Sequence, residues 1–217
     1  MLDQQQWIRL TEDYVQQQLQ HDSSGHDWWH IVRVRNMAVK LAQKEGADVF
    51  ICELAALLHD VADEKLNPTK EAGLAKVNDW MASIDLDEAV QQRVMLIIST
   101  MSYNGGHNPL METLEGMVVQ DADRLDAIGA VGIARVFAYS GSRNRVIHDP
   151  GIEPIHFDTN AAYRQHQGTA INHFYEKLLK LKELMNTEQG KLMAASRHQY
   201  MVDYLARFYE EWDGRDT

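Results

Sequence analysis

Residues 51–64 read ICELAALLHDVADE, a run that is apolar for most of its first half and polar for most of its second. Ala and Leu crowd the first half without the period-two alternation of a half-exposed strand, which predicts a buried helix over about 47–63. His59 and Asp60 sit near the C-terminal end of that helix. Two polar groups, one of them normally charged, thus close a buried run, and a buried carboxylate needs a compensating partner. A helix this apolar also needs other helices around it.

The flanking sequence supplies them. Upstream, Trp7, Leu10, Tyr14, Val15 and Leu19 form one stripe of a helix starting near residue 3, which HDSSG then breaks. A second helix over about 27–45 turns Ile31, Val34, Met37, Ala38 and Leu41 inward, and Gly46 stops it. Downstream, Asn67-Pro68 ends any continuation of the central helix. Helical patterns follow over about 69–82, 86–102 and 112–139, the last interrupted by Gly129 and Gly132, which permit close packing or a bend. Residues 140–168 form one long irregular stretch, long enough for a lid, and helices over about 169–186 and 188–212 complete the chain. No segment alternates as a strand. The expected fold is all-α: one domain over 1–217, with its polar cluster on helices within about 27–126.

Composition narrows the function. The chain has 217 residues, 45% of them apolar and 24% charged, enough for one packed core and too ordinary for disorder. A formal charge of -11 argues against nucleic acid or an anionic membrane as partner. No apolar run approaches the roughly 18 residues that span a bilayer, and the opening MLDQQQW lacks a leader pattern, so a cytoplasmic protein is expected. The single cysteine, Cys52, lies within the apolar run and reads as a buried, reduced thiol. The aromatic stripe Tyr200, Tyr204, Phe208 and Trp212 is either core or the interface of a homodimer.

Three polar anomalies remain. His30 occupies the inward stripe of the second helix, where packing alone calls for a bulky apolar side chain. His59-Asp60 ends the central helix. Asp121, Asp123 and Asp126 interrupt GMVVQDADRLDAIGAVGIA, where like charges would repel without a cation. One divalent ion resolves all three, because neutral imidazoles and ionised carboxylates can be buried around a positive centre. A mixed set of imidazoles and carboxylates suits Mn, Fe, Co, Ni or Zn, with Mg a further candidate.

The segments HIVRVRNMA around His30, LLHDVADE around His59-Asp60 and VVQDADRLDAIGA around Asp123, in that order and on helices, resemble the HD-domain superfamily of metal-dependent phosphohydrolases. The dipeptide alone is weak, since it recurs at His21, His26 and His148. The likeness extends through IGAVGIARVFAYSG and HFYEKLLKLKELMNT, which are similar to the bacterial group that includes nucleoside triphosphate pyrophosphohydrolases. It implies His30, His59, Asp60 and Asp123 as metal ligands, with His26 a neighbour and Asp121 behind the ligands, and Mn as the ion. It implies Asp63, with Glu64 adjacent to it, as the group that orients or deprotonates the attacking water. The substrate would be a small phosphorylated compound, in the first instance a nucleoside triphosphate. Lys177, Arg135 and His26 are the candidates for meeting its phosphates, with His173, Arg33 and Arg124 behind them. A departure is Met101-Ser102-Tyr103, where related sequences often read His-Ser-Phe, so no role passes to Met101. Monophosphates or guanosine tetraphosphate alarmones are alternative substrates. A di-iron oxygenase using His107, or a nucleotide sensor without catalysis, are the alternatives of other classes.

Overall fold

The computed structural model describes residues 2–19, 27–63, 66–101, 110–155 and 168–216, and the regular structure among them is helical throughout. The chain divides into two compact units, Met1–Asp123 and Arg124–Thr217. No helix among the described residues is long and apolar enough to cross a membrane.

The first unit is built around α3 (Val49–Leu58), of which Phe50, Ile51, Cys52, Leu54, Ala55, Ala56, Leu57 and Leu58 are all buried. Each of its large side chains contributes roughly 1.5–3 kcal/mol by leaving water. Around it lie α1 (Gln4–Leu19), α2 (Trp28–Glu45) and α5 (Glu88–Thr100), with α4 (Lys70–Ser83) packed beside α5. Glu53 is the charged exception on α3. The Arg35 guanidinium of α2 grips it from Nε at 2.7 Å and Nη2 at 2.5 Å, while Nη1 reaches Glu12 of α1 at 2.8 Å. The three helices are thus tied at one point by a planar fork that a lysine could not reproduce.

The central helix does not run to residue 63 as one α-helix. It ends at Leu58, and Asp60–Ala62 continue as a 3-10 turn that Asp63 leaves in extended conformation (φ -65°, ψ 139°). The stretch expected over 112–139 is two helices, α6 (Leu114–Asp126) and α7 (Gly129–Ser142). Gly129 takes φ +77°, and a Cβ on Gly132 would stand 2.2 Å from the Ala127 carbonyl oxygen, so the break between the two helices depends on both glycines. The long irregular stretch begins after Ser142 instead of at 140, and its residues 156–167 lie outside the described set.

In the second unit α7 packs against α8 (Ala170–Glu176) and α9 (Glu188–Trp212), with a 3-10 segment (Leu178–Leu184) between the last two, so 169–186 is not one helix. Phe137, Phe174 and Tyr204 meet with ring centroids 6.0–6.3 Å apart, so half-buried Tyr204 packs onto the buried Phe174. Tyr200 is exposed, and Trp212 lies edge to face against His148 at 4.9 Å.

Candidate metal centre

His30 owes its position to the start of α2. Asp27 caps the helix, its carboxylate accepting the His30 backbone N–H at 2.7 Å, which fixes the first turn and sends the imidazole inward. The ring is 1% exposed. His59 caps the end of α3, where carbonyls run short of helical donors. Its Nδ1 lies 2.8 Å from the Ala56 carbonyl oxygen. A carbonyl only accepts, so the proton sits on Nδ1 and the lone pair on Nε2. Among the described residues that buried Nε2 has no hydrogen-bond partner. Immediately after it, the 3-10 turn delivers the Asp60 carboxylate to the same place.

The four groups converge. Asp60 Oδ2 is 3.3 Å from His30 Nε2, and Asp60 Oδ1 is 3.3 Å from His59 Nε2. Asp123 Oδ1, from α6, is 3.4 Å from His30 Nε2 and 3.9 Å from His59 Nε2. The two rings meet at 69° with centroids 5.4 Å apart. Two donors each about 2.1 Å from one ion and roughly 100–110° apart would be separated by about 3.2–3.4 Å, which three of these four distances match, the 3.9 Å from Asp123 to His59 being wider. His30, His59 and Asp60 form a group whose donor atoms all lie within 4.8 Å of one another. The charge also fits: two carboxylates beside two neutral imidazoles balance a divalent cation. Burial pulls the His59 pKa down, and Asp60, Asp123, the Ala56 carbonyl and Asp63 together outweigh it, so the net shift is upward. The pit favours positive charge. Asp123, 37% exposed at its side chain against 1–5% for the other three, marks the side from which solvent reaches the centre.

Asp126 bonds Arg135 at 2.7 Å, so of the three aspartates in QDADRLD it is Asp123 that meets the imidazoles, while Asp121 is wholly buried. In the second unit, Arg124 donates to the Leu184 carbonyl, and Lys177 closes the end of α8. His173, on α8, is pushed down to about 3 by burial and then by Lys177 and Arg145, which makes it a neutral ring at working pH. His26, Glu64, His107 and His156 lie outside the described residues, and with His107 goes the proposed extra ligand of a di-iron site. Met101 caps α5, and its carbonyl accepts from Gln120 at 3.2 Å. Asn67 escaped the sequence reading as anything but a helix stop. Its amide donates to the carbonyls of both Val61 and Asp63 at 2.8 Å.

Comparison with known proteins identifies the family. The HD domain model matches residues 28–128, which contain all four groups. YpgQ of Bacillus subtilis is 38% identical over 206 residues, 94% of this chain and 93% of that protein. A crystal structure of YpgQ in complex with ADP superposes with a TM-score of 0.77 at 36% identity, over 96% of this chain and 100% of that one. A protein of Lactobacillus plantarum reaches a TM-score of 0.85 at 41% identity, over 95% of this chain and 97% of its own. An HD-superfamily hydrolase of Bacillus thuringiensis gives 0.77 at 45% identity, covering 97% of this chain and 99% of its own. With relatives this similar along nearly their whole length, and with the HD model spanning the helices that carry the centre, the chain belongs to the HD-domain superfamily of hydrolases.

Proposed function

We propose that the chain is a metal-dependent phosphohydrolase that cleaves nucleoside triphosphates to monophosphate and pyrophosphate, with Mn as its ion. The observation that carries the nucleotide part is the crystal structure of YpgQ in complex with ADP, a relative aligned over 96% of this chain. His30, His59, Asp60 and Asp123 would hold the ion, which supplies Lewis acidity and draws the pKa of water from 15.7 toward about 7.

The chain's own groups do the rest. The His59 Nδ1 proton is committed to Ala56, which keeps Nε2 a donor of its lone pair and holds the ring still. Asp63, with Glu64 adjacent to it, receives the proton of the attacking water. The new bond forms to the α-phosphorus, the bond from that phosphorus to the α,β-bridging oxygen breaks, and pyrophosphate leaves with the electron pair. Charge grows on the phosphoryl oxygens as this happens, and Lys177, Arg135 and His26 are the groups assigned to offset it. Lys177 stands ahead of Arg135 because the likeness to the bacterial group is close around HFYEKLLKLK; Arg135 engages Asp126 at 2.7 Å.

The test is product identity. Chain stripped of metal and reloaded with Mn is incubated with ribo- and deoxyribonucleoside triphosphates, monophosphates and guanosine tetraphosphate, and pyrophosphate is separated from orthophosphate. Pyrophosphate from triphosphates is expected, and His30→Ala should abolish both its release and Mn retention. Orthophosphate from monophosphates alone would overturn the pyrophosphohydrolase reading; no product from any compound would overturn the hydrolytic one.

A further inference from the structure

We propose that Asn67 is a positioning residue for Asp63, a clamp that fixes the backbone carrying the water-activating carboxylate. The proposal rests on the role assigned to Asp63 above.

The geometry is local and closed. The 3-10 turn ends at Ala62, so the carbonyls of Val61 and Asp63 fall where helical hydrogen bonding stops. A primary amide has two N–H donors, and Asn67 uses Nδ2 on both carbonyls at 2.8 Å. The Asp63 N–H donates to the carbonyl of the ligand residue Asp60 at 3.0 Å, and the Asp63 carbonyl also accepts the Leu66 N–H at 3.0 Å. Both peptide groups of Asp63 are therefore tied, one to the metal centre and one to Asn67, which leaves its carboxylate only side-chain torsions. The carbonyl that holds the Asp63 N–H belongs to Asp60, whose carboxylate is part of the centre, so Asp63 is kept beside it in the chain.

A second observation falls on the same spot. A Cβ on Gly73 would stand 2.4 Å from the Ala62 carbonyl oxygen and 2.9 Å from Asn67 Nδ2. Only glycine lets α4 lie this close, and α4 braces the clamp from outside. Lys70, at the start of α4, donates to the Ser99 carbonyl of α5 at 2.7 Å, so the brace is itself anchored. A displacement near 1 Å of a reacting group can lower a rate by about 100-fold, so the clamp's leverage is on turnover.

The test is a double-mutant cycle on the full chain with Mn and dATP, reading kcat, KM, Mn content and Tm. Asn67→Asp keeps the shape and removes both donors; Asn67→Ala removes the side chain. Each is expected to lower kcat by about 10- to 100-fold with KM and Mn content nearly unchanged. Asp63→Asn should lower kcat further, and adding Asn67→Ala to it should cost nothing more, because Asn67 acts through Asp63. Asn67 variants with full kcat, a loss of Mn parallel to the loss of rate, or additive losses in the double variant would each overturn the clamp. Full kcat in Asp63→Asn would overturn the role of Asp63 itself, whatever the Asn67 variants do.

Discussion

A buried histidine without a partner on one nitrogen is costly unless something else meets that lone pair, and His59 Nε2 is such an atom. His30, His59 and Asp60 were legible in the sequence because each is polar in an otherwise apolar stripe. Asn67 was not legible, because its role depends on where two backbone carbonyls point at the end of a turn. His173 makes a separate prediction. Its pKa falls from an ordinary 6.5 to about 3 in the folded chain, through burial and then Lys177 and Arg145. A depressed folded value means stability that is fully present above about pH 6.5 and is lost as the pH falls toward 3. Urea midpoints at pH 7 and pH 5 should therefore drop more in the native chain than in His173→Gln; parallel drops would contradict this. Cys52, with its thiol pushed up to about 12 by burial and then by Glu115 and Asp48, should resist alkylation at pH 8 until denaturant is added. Rapid labelling of the native chain would refute that.

At the scale of elements, apolar periodicity located the helices well, and α1, α2, α4, α5 and α9 begin and end within about two residues of where the pattern places them. The misses share a cause. Hydrophobic pattern continues across a helix break when both flanks are buried, so 112–139 reads as one element although Gly129 interrupts the helix at φ +77°. The change to a 3-10 turn at Asp60 leaves no trace in the pattern either. Glycine at 132 permits close packing, and the distances make that quantitative. Gly132→Ala forces a Cβ to 2.2 Å from the Ala127 carbonyl oxygen and should lower stability by about 2–3 kcal/mol. Gly46→Ala meets nothing within 4 Å and carries only the strain of φ +75°, about 1–2 kcal/mol. Thermal unfolding of the two variants should rank them in that order, and the reverse ranking would contradict the packing account.

At the scale of the whole chain, the charge of -11 must be reconciled with the anionic substrate proposed for it. The centre answers locally, since its carboxylates call for a cation and the resulting site can face phosphate despite an acidic surround. The HD segments carried much of this in the sequence because ligands on separate helices keep their order along the chain. The substrate was not carried there, since ligands that fit one divalent ion are indifferent to what the phosphate is attached to. The most direct test of the metal centre is equilibrium binding of Mn to the stripped chain, followed by the electron paramagnetic resonance signal of the free ion. One ion bound per chain, lost in His59→Ala and in Asp60→Asn, is the predicted result; no binding, or undiminished binding in both variants, would contradict the account.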